Sequence, residues 1–141
     1  MESTFTYCRT TNLDGSDIPY RQYVPKDRLF DFVSPGELFD KLSILEIKKN
    51  KGLKVDYEYS ELFIFLKEYM PKISVIYDTL SSSNKSQWDL EDKIRTEVNL
   101  DDVGRFAILI REYNDNRVSL KNRINKVLDL GFEEKKEYKE N

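Results

Sequence analysis

Apolar residues recur along this chain at two spacings. Over residues 34–130 they step by three and four, as on one face of an α-helix, whereas near the N-terminus they partly alternate with polar residues, as in a strand. The pattern predicts a first helix opening at Ser34-Pro35-Gly36-Glu37. There the serine hydroxyl can accept from the N3 amide, and Glu37 can reach back to the Ser34 amide. Pro35 falls at the first helical position, where its missing N–H costs nothing. Leu38, Leu42 and Leu45, flanked by Phe39, Ile44 and Ile47, form the apolar stripe. Lys48, Lys49 and Lys51 suit the C-terminal dipole, and Gly52 supplies the stop.

A second helix is predicted over about 56–70, with Leu62, Phe63, Leu66 and Tyr69 or Met70 on its stripe and Pro71 kinking or breaking it. A third pattern runs over 73–98 through Ile73, Ile76, Leu80, Trp88, Ile94 and Val98, weakened in the middle by Ser81-Ser82-Ser83, where a local break is expected. The last helix has the most regular period. Phe106, Ile110, Tyr113, Arg117, Leu120, Ile124 and Val127 form a heptad-type seam over three repeats, with Asn99 or Asp101 as cap and Gly131 as end.

Residues 1–33 read differently. Thr4 to Cys8 has β-type composition, Asn12-Leu13-Asp14-Gly15 is a turn signal, and Ile18 to Val24 suits a return strand that Pro19 and Pro25 confine to an edge. The region is expected to be an extended arm or weak hairpin on the helical body, with a loosely ordered leader as the alternative. Residues 131–141 form a charged tail expected to fray. Short connections between long helices favour antiparallel neighbours. The predicted fold is therefore all-α: an arm over 1–33, a small antiparallel bundle of long helices over 34–130, and the tail.

Composition narrows the chemistry. Aromatic residues reach 13% in a chain that is 35% charged, so its large rings must be buried or used for binding. The net charge of −3, from 23 basic and 26 acidic residues interspersed, is no nucleic-acid footprint. There is no histidine and one cysteine, Cys8, which removes an intrachain disulfide, most zinc sites and any histidine-based triad. The longest apolar run, Leu62 to Leu66, is far too short to span a bilayer, and no signal-peptide pattern is visible. The expected compartment is cytoplasmic, with no membrane, nucleic-acid or cofactor partner. A single alanine, Ala107, beside many Lys, Asn, Ile and Tyr residues, suggests an AT-rich viral or bacterial source.

Polar residues on the inward stripes are the informative feature. Arg117 lies in the last seam, flanked by Asn114, Lys121 and Asn125. Asn84, Trp88, Glu91 and Arg95 continue the Leu80 stripe, while Glu37, Asp40, Lys41 and Glu46 lie near the leucines of the first helix. A charge at a seam position is costly unless paired. An internal network such as Glu91–Arg117 or Asp40–Arg95 is therefore expected. One reading is a structural network that fixes helix register. The other is a pocket for an anionic or polyhydroxylated small molecule, with Arg95, Arg117 and Lys121 as donors and Trp88 as a flat face.

Other signals are weaker. Glu91-Asp92 and Asp101-Asp102 are adjacent rather than spaced along one helix face, which argues against a Mg²⁺ site. Asn84-Lys85-Ser86 matches a glycosylation sequon without a secretion signal. Tyr57, Tyr59, Tyr69 and Tyr77, with Phe63 and Phe65, exceed what one narrow stripe can bury, so core plus rim is weighed against an exposed aromatic patch for a protein partner.

The stretch Ser-Pro-Gly-Glu-Leu-Phe-Asp-Lys-Leu-Ser-Ile-Leu-Glu-Ile-Lys from Ser34 to Lys48 resembles the opening of an uncharacterised family of short bacterial helical proteins. The resemblance continues at Trp88 to Arg95, at Asn114 to Asn125 and at Glu134 to Tyr138, and leaves out the arm. It implies an all-helical fold and makes the polar positions family features. Members often lie beside glycan-synthesis genes, so the resemblance also points to sugar metabolism, without an activity to carry over.

Three functions remain open. The first is a non-catalytic binding or adaptor module using Glu37, Asp40, Lys41, Trp88, Glu91, Arg95, Asn114, Arg117 and Lys121 together with an aromatic surface. The second is a small enzyme or ligand-binding protein acting on a phosphorylated or nucleotide-linked sugar. There the arginines and Lys121 would hold the anion and Glu91 or Asp40 would act as acid or base. The third is a structural homo-oligomer sharing the last helix's seam.

Overall fold

The computed structural model describes residues 4–6, 23–25, 29–30, 33–96 and 99–129. The chain divides into two units, Met1–Val33 and Ser34–Asn141. In the first, the backbone of Thr4–Thr6 (β1) runs antiparallel to Tyr23–Pro25 (β2), with Phe5 opposite Val24. The turn predicted at Asn12 to Gly15, Cys8, Gly131 and the charged tail lie outside the described residues.

Among the described residues the second unit contains four α-helices: α1 (Pro35–Asn50), α2 (Asp56–Leu66), α3 (Met70–Thr96) and α4 (Leu100–Leu128). None is long and apolar enough to cross a membrane. Local chemistry sets the ends of α1. Ser34 Oγ accepts from the Glu37 amide at 3.3 Å, and Pro35 occupies the first turn. At the other end Gly52 takes φ 87°, its N–H bonds to the Lys49 carbonyl, and the Leu53 N–H bonds to that of Lys48. This pair of reversed bonds is the Schellman stop, and it needs a residue that accepts positive φ.

α1 lies at the centre, packed against each of the other three helices. Leu38, Phe39, Leu42 and Leu45 share the core with Leu62 and Leu66 of α2, Ile73 and Leu80 of α3, and Ile124 of α4. Because neighbours surround it, α1 buries Asp40 and Ser43 along with its leucine stripe. α3 and α4 form the most extensive pair. Gln87 meets Asn114 and Lys93 meets Phe106, so the two helices run antiparallel.

Three expectations are corrected. Pro71 does not interrupt the second helix, which ends at Leu66; it falls in the first turn of α3, where a proline is tolerated, and non-helical geometry follows at Ile73 (φ −128°, ψ 17°). α3 passes through Ser81-Ser82-Ser83 without a break. Leu80, Asn84 and Gln87 are buried on one face there, and tertiary packing outweighs the modest helix propensity of serine. The seam of α4 drifts at its end: Leu120, Ile124 and Leu128 are buried, whereas Val127 is 47% exposed. An α-helix turns every 3.6 residues, so a strict seven-residue repeat slides off the buried face. Asn99 caps α4 by accepting from the Asp101 amide at 2.9 Å, and Asp129, in the left-handed conformation, closes it.

Gly104 lies in α4 with open space where a Cβ would stand. Gly104→Ala should therefore stabilise the chain by up to about 1 kcal/mol, since only the backbone entropy of glycine is removed. A chemical-denaturation midpoint that rises with unchanged m-value is the expected result; a fall would mean that this part of α4 is not helical in solution.

Candidate functional site

The inward polar residues converge where α1, α3 and α4 meet. Asp40 of α1 is 5% exposed, and its carboxylate is the hub. Arg117 of α4 grips it with two bonds, Nε to Oδ1 at 2.9 Å and an Nη to Oδ2 at 2.7 Å. This fork-to-carboxylate geometry is the strong form of an ion pair. From α3, Asn84 Nδ2 donates to Asp40 Oδ1 at 2.8 Å and to Ser43 Oγ at 2.7 Å. Ser43 donates in turn to the Asp40 carbonyl at 2.8 Å. The hydrogen bond to Asp40 raises the Arg117 pKa against the opposing effect of burial, with the charges of Asp40, Glu37 and Glu91 adding to the rise.

The cluster extends along both neighbours. Toward the N-terminus of α1, Lys121 Nζ donates to Glu37 Oε2 at 2.8 Å. Glu37 thus reaches across to α4 rather than back to the Ser34 amide. One residue earlier, the Gly36 amide donates to Asn125 Oδ1 at 2.6 Å. Here the backbones nearly touch: a Cβ on Gly36 would lie 2.3 Å from the Lys121 carbonyl oxygen. On α3, Gln87 Nε2 donates to Asn114 Oδ1 at 3.0 Å and to Glu91 Oε2 at 3.2 Å. Among the described residues, the buried Asn84 Oδ1, Gln87 Oε1 and Ser83 Oγ have no hydrogen-bond partner.

Of the nine predicted residues, Glu37, Asp40, Glu91, Asn114, Arg117 and Lys121 enter this network. Neither expected pairing forms, because Asp40 takes Arg117 and Arg95 binds Asp92 within its own helix. Arg95 lies eleven residues beyond Asn84, about 16 Å along α3 from the level of Asp40. Glu91 acts on Arg117 only as a nearby charge. Lys41 turns instead to Glu58 of α2 at 3.2 Å, and Trp88 is half-buried.

Ser43, Gln87 and Gly36 were not singled out from the sequence. Ser43 sits among leucines at i+3 from Asp40, and Gly36 occupies a first turn where glycine has no local purpose; those were the available signals. Asn84 is visible on the Leu80 stripe, but at 2% exposure and bonded through its amide nitrogen it presents no glycan acceptor in the folded chain. No group of three His, Cys, Asp or Glu side chains among the described residues is arranged to hold a metal ion.

A second tie joins α1 to α3 at the other end of the core. Tyr77 donates to Glu46 Oε1 at 3.1 Å, with its ring edge against Phe39. Burial first, then the charge of Glu46 and the bond to it, push the Tyr77 phenol well above its ordinary value. The folded pKa exceeds that of the unfolded chain, so the stabilisation is whole below about pH 10 and is lost as pH rises beyond it. Tyr77→Phe should therefore lose less stability than the parent between about pH 9 and pH 11, as read from urea midpoints at both values. Equal losses in the two proteins would remove Tyr77 as the titrating group.

The remaining aromatic residues gather around α2. Tyr59 and Phe63 stack at 5.9 Å, Lys49 Nζ sits 4.8 Å above the Tyr59 ring, and Phe65 lies beside Tyr69. α2 buries Leu62 and Leu66, while its outer side exposes Tyr57 (79%), Ile64 (57%) and Phe63 (37%). Together these features define a four-helix domain clamped from within by a buried aspartate–arginine pair and bearing an apolar outer face. No protein-family model, curated protein or solved structure matches the chain.

Proposed function

We propose that this chain is a non-catalytic helical binding or adaptor module, in which the polar cluster holds the helices in register and the exposed side of α2 meets a protein partner. The observation that carries the reading is the engagement of Asp40. Both its oxygens accept from Arg117 and one also from Asn84, so the groups best suited to grip a ligand or move a proton are spent on each other. Tyr57, Ile64 and Phe63 supply the aromatic and aliphatic side chains that partner-binding surfaces favour.

A second reading rests on Asn84 Oδ1 and Gln87 Oε1, buried acceptors with no partner among the described residues. They would suit hydroxyl donors of a polyhydroxylated molecule, in line with the sugar chemistry that the family resemblance implies. One experiment separates the two. The purified protein is melted with sugar nucleotides, sugar phosphates and nucleotides, alongside Arg117→Ala. The module reading expects no shift with any compound and a variant that simply melts lower. A concentration-dependent rise in Tm, abolished in a variant that still folds, would establish the ligand reading instead, because binding to the native state must stabilise it.

A further inference from the structure

From residue 88 to residue 113 no described residue is buried, so the far half of the α3–α4 pair lacks a third layer. Along α4 an exposed apolar flank borders the core-facing seam. Leu109 and Val127 lie eighteen residues, or five full turns, apart and therefore on the same flank, next to the seam residues Phe106, Tyr113 and Leu120. Leu120 belongs to the core, but Leu109 is 42% and Val127 47% exposed, and Phe106 and Tyr113 are half-buried.

The charge along the same helix is polarised. Apart from Arg117, Lys121 and the Arg105–Asp102 pair, which are already engaged, residues 100–115 carry Asp101, Glu112 and Asp115 against Arg111, a net of −2, and residues 116–128 carry Arg123 and Lys126, a net of +2. Glu112, Asp115, Arg123 and Lys126 enter none of the ion pairs found among the described residues. A helix with one acidic and one basic half complements its own reversed copy and repels a parallel one.

We infer that α4 pairs antiparallel with α4 of a second copy of this chain, about a two-fold axis near Asn116. That arrangement places Leu109 between Arg123 and Val127 of the second copy, and brings Glu112 against Arg123 of the second copy. Each contact occurs twice, as a closed two-fold interface requires. The inference does not depend on the polar cluster or the α2 face, since none of the tested residues belongs to either.

Sedimentation equilibrium from micromolar to millimolar concentration should show a species of twice the 16.8 kDa chain mass. Leu109→Glu and Val127→Glu, both at exposed positions, should keep the helical circular dichroism while weakening association at least tenfold. Glu112→Arg should weaken it as well, and Arg123→Glu added to Glu112→Arg should restore it. In a Cys8→Ser background, Asn116→Cys should cross-link to itself, whereas Leu109→Cys should cross-link only when mixed with Arg123→Cys. A monomer at every concentration, or a dimer indifferent to these charge and glutamate variants, would overturn the inference. Self-cross-linking of Leu109→Cys as efficient as that of Asn116→Cys would overturn its antiparallel form.

Discussion

Arg117→Ala should destabilise the chain by about 3 kcal/mol or more, because it leaves the Asp40 carboxylate buried without its counter-ion. The loss is not the net worth of the pair. Two charges taken out of water recover much of their hydration cost only through each other, so removing one strands the other. For a chain of this size the expected fall in Tm is roughly 10 °C. Arg117→Lys keeps the charge but cannot make the two parallel bonds, and should recover only part of the loss. Asp40→Asn should cost less than Arg117→Ala, since Arg117 retains 27% side-chain exposure and can turn to water, whereas Asp40 cannot. Asp40→Ala combined with Arg117→Ala should destabilise by clearly less than the two single changes added together, the sign of direct coupling. Denaturant titrations of these five variants, the Asp40→Ala single change included, would measure all of this. An Arg117→Ala protein within about 0.5 kcal/mol of the parent would mean that the clamp is not closed in solution.

Gly36→Ala is the second large effect, and its sign opposes what helix propensity alone would give. In an open helix the change gains up to about 1 kcal/mol, as expected for Gly104. At Gly36 the new methyl would lie 2.3 Å from the Lys121 carbonyl oxygen and 3.0 Å from Asn125 Oδ1. The first neighbour is helix backbone, which cannot swing aside as a side-chain tip can. α1 and α4 must move apart, stretching the Gly36–Asn125 and Glu37–Lys121 bonds and loosening the clamp a turn away. Such overpacking costs typically 1–3 kcal/mol, and the strained hydrogen bonds add to it. The expected result is a loss of about 2 kcal/mol or more, opposite in sign to Gly104→Ala measured under the same conditions. A neutral or stabilising Gly36→Ala would show that the helices do not approach so closely.

The two substitutions mark the boundary of what a linear reading reaches. Helix identity was legible because it rests on local causes. The Ser34-Pro35 start, the leucine stripe of α1, the Gly52 stop and the Asn99 cap depend on residues within a turn or two of one another. The presence of a polar cluster was legible too, since a charge such as Arg117 in an apolar seam must be answered by something.

Its wiring was not legible. Periodicity shows which face a residue shares, but not how far one helix slides past the next. That offset sets Arg117, rather than Arg95, at the level of Asp40. It makes Asn84 and Ser43 partners, and it turns Lys41 toward Glu58. The continuity of α3 through its serines likewise followed from burial of Leu80, Asn84 and Gln87 against other helices, which local propensity does not contain. Gly36 is the plainest case. In sequence it is one residue of a capping motif; in the fold it is the point where two backbones meet, because only a residue without a side chain allows that approach. Local chemistry determined the helices of this protein, and the packing offsets among α1, α3 and α4 decided which of its charges face one another.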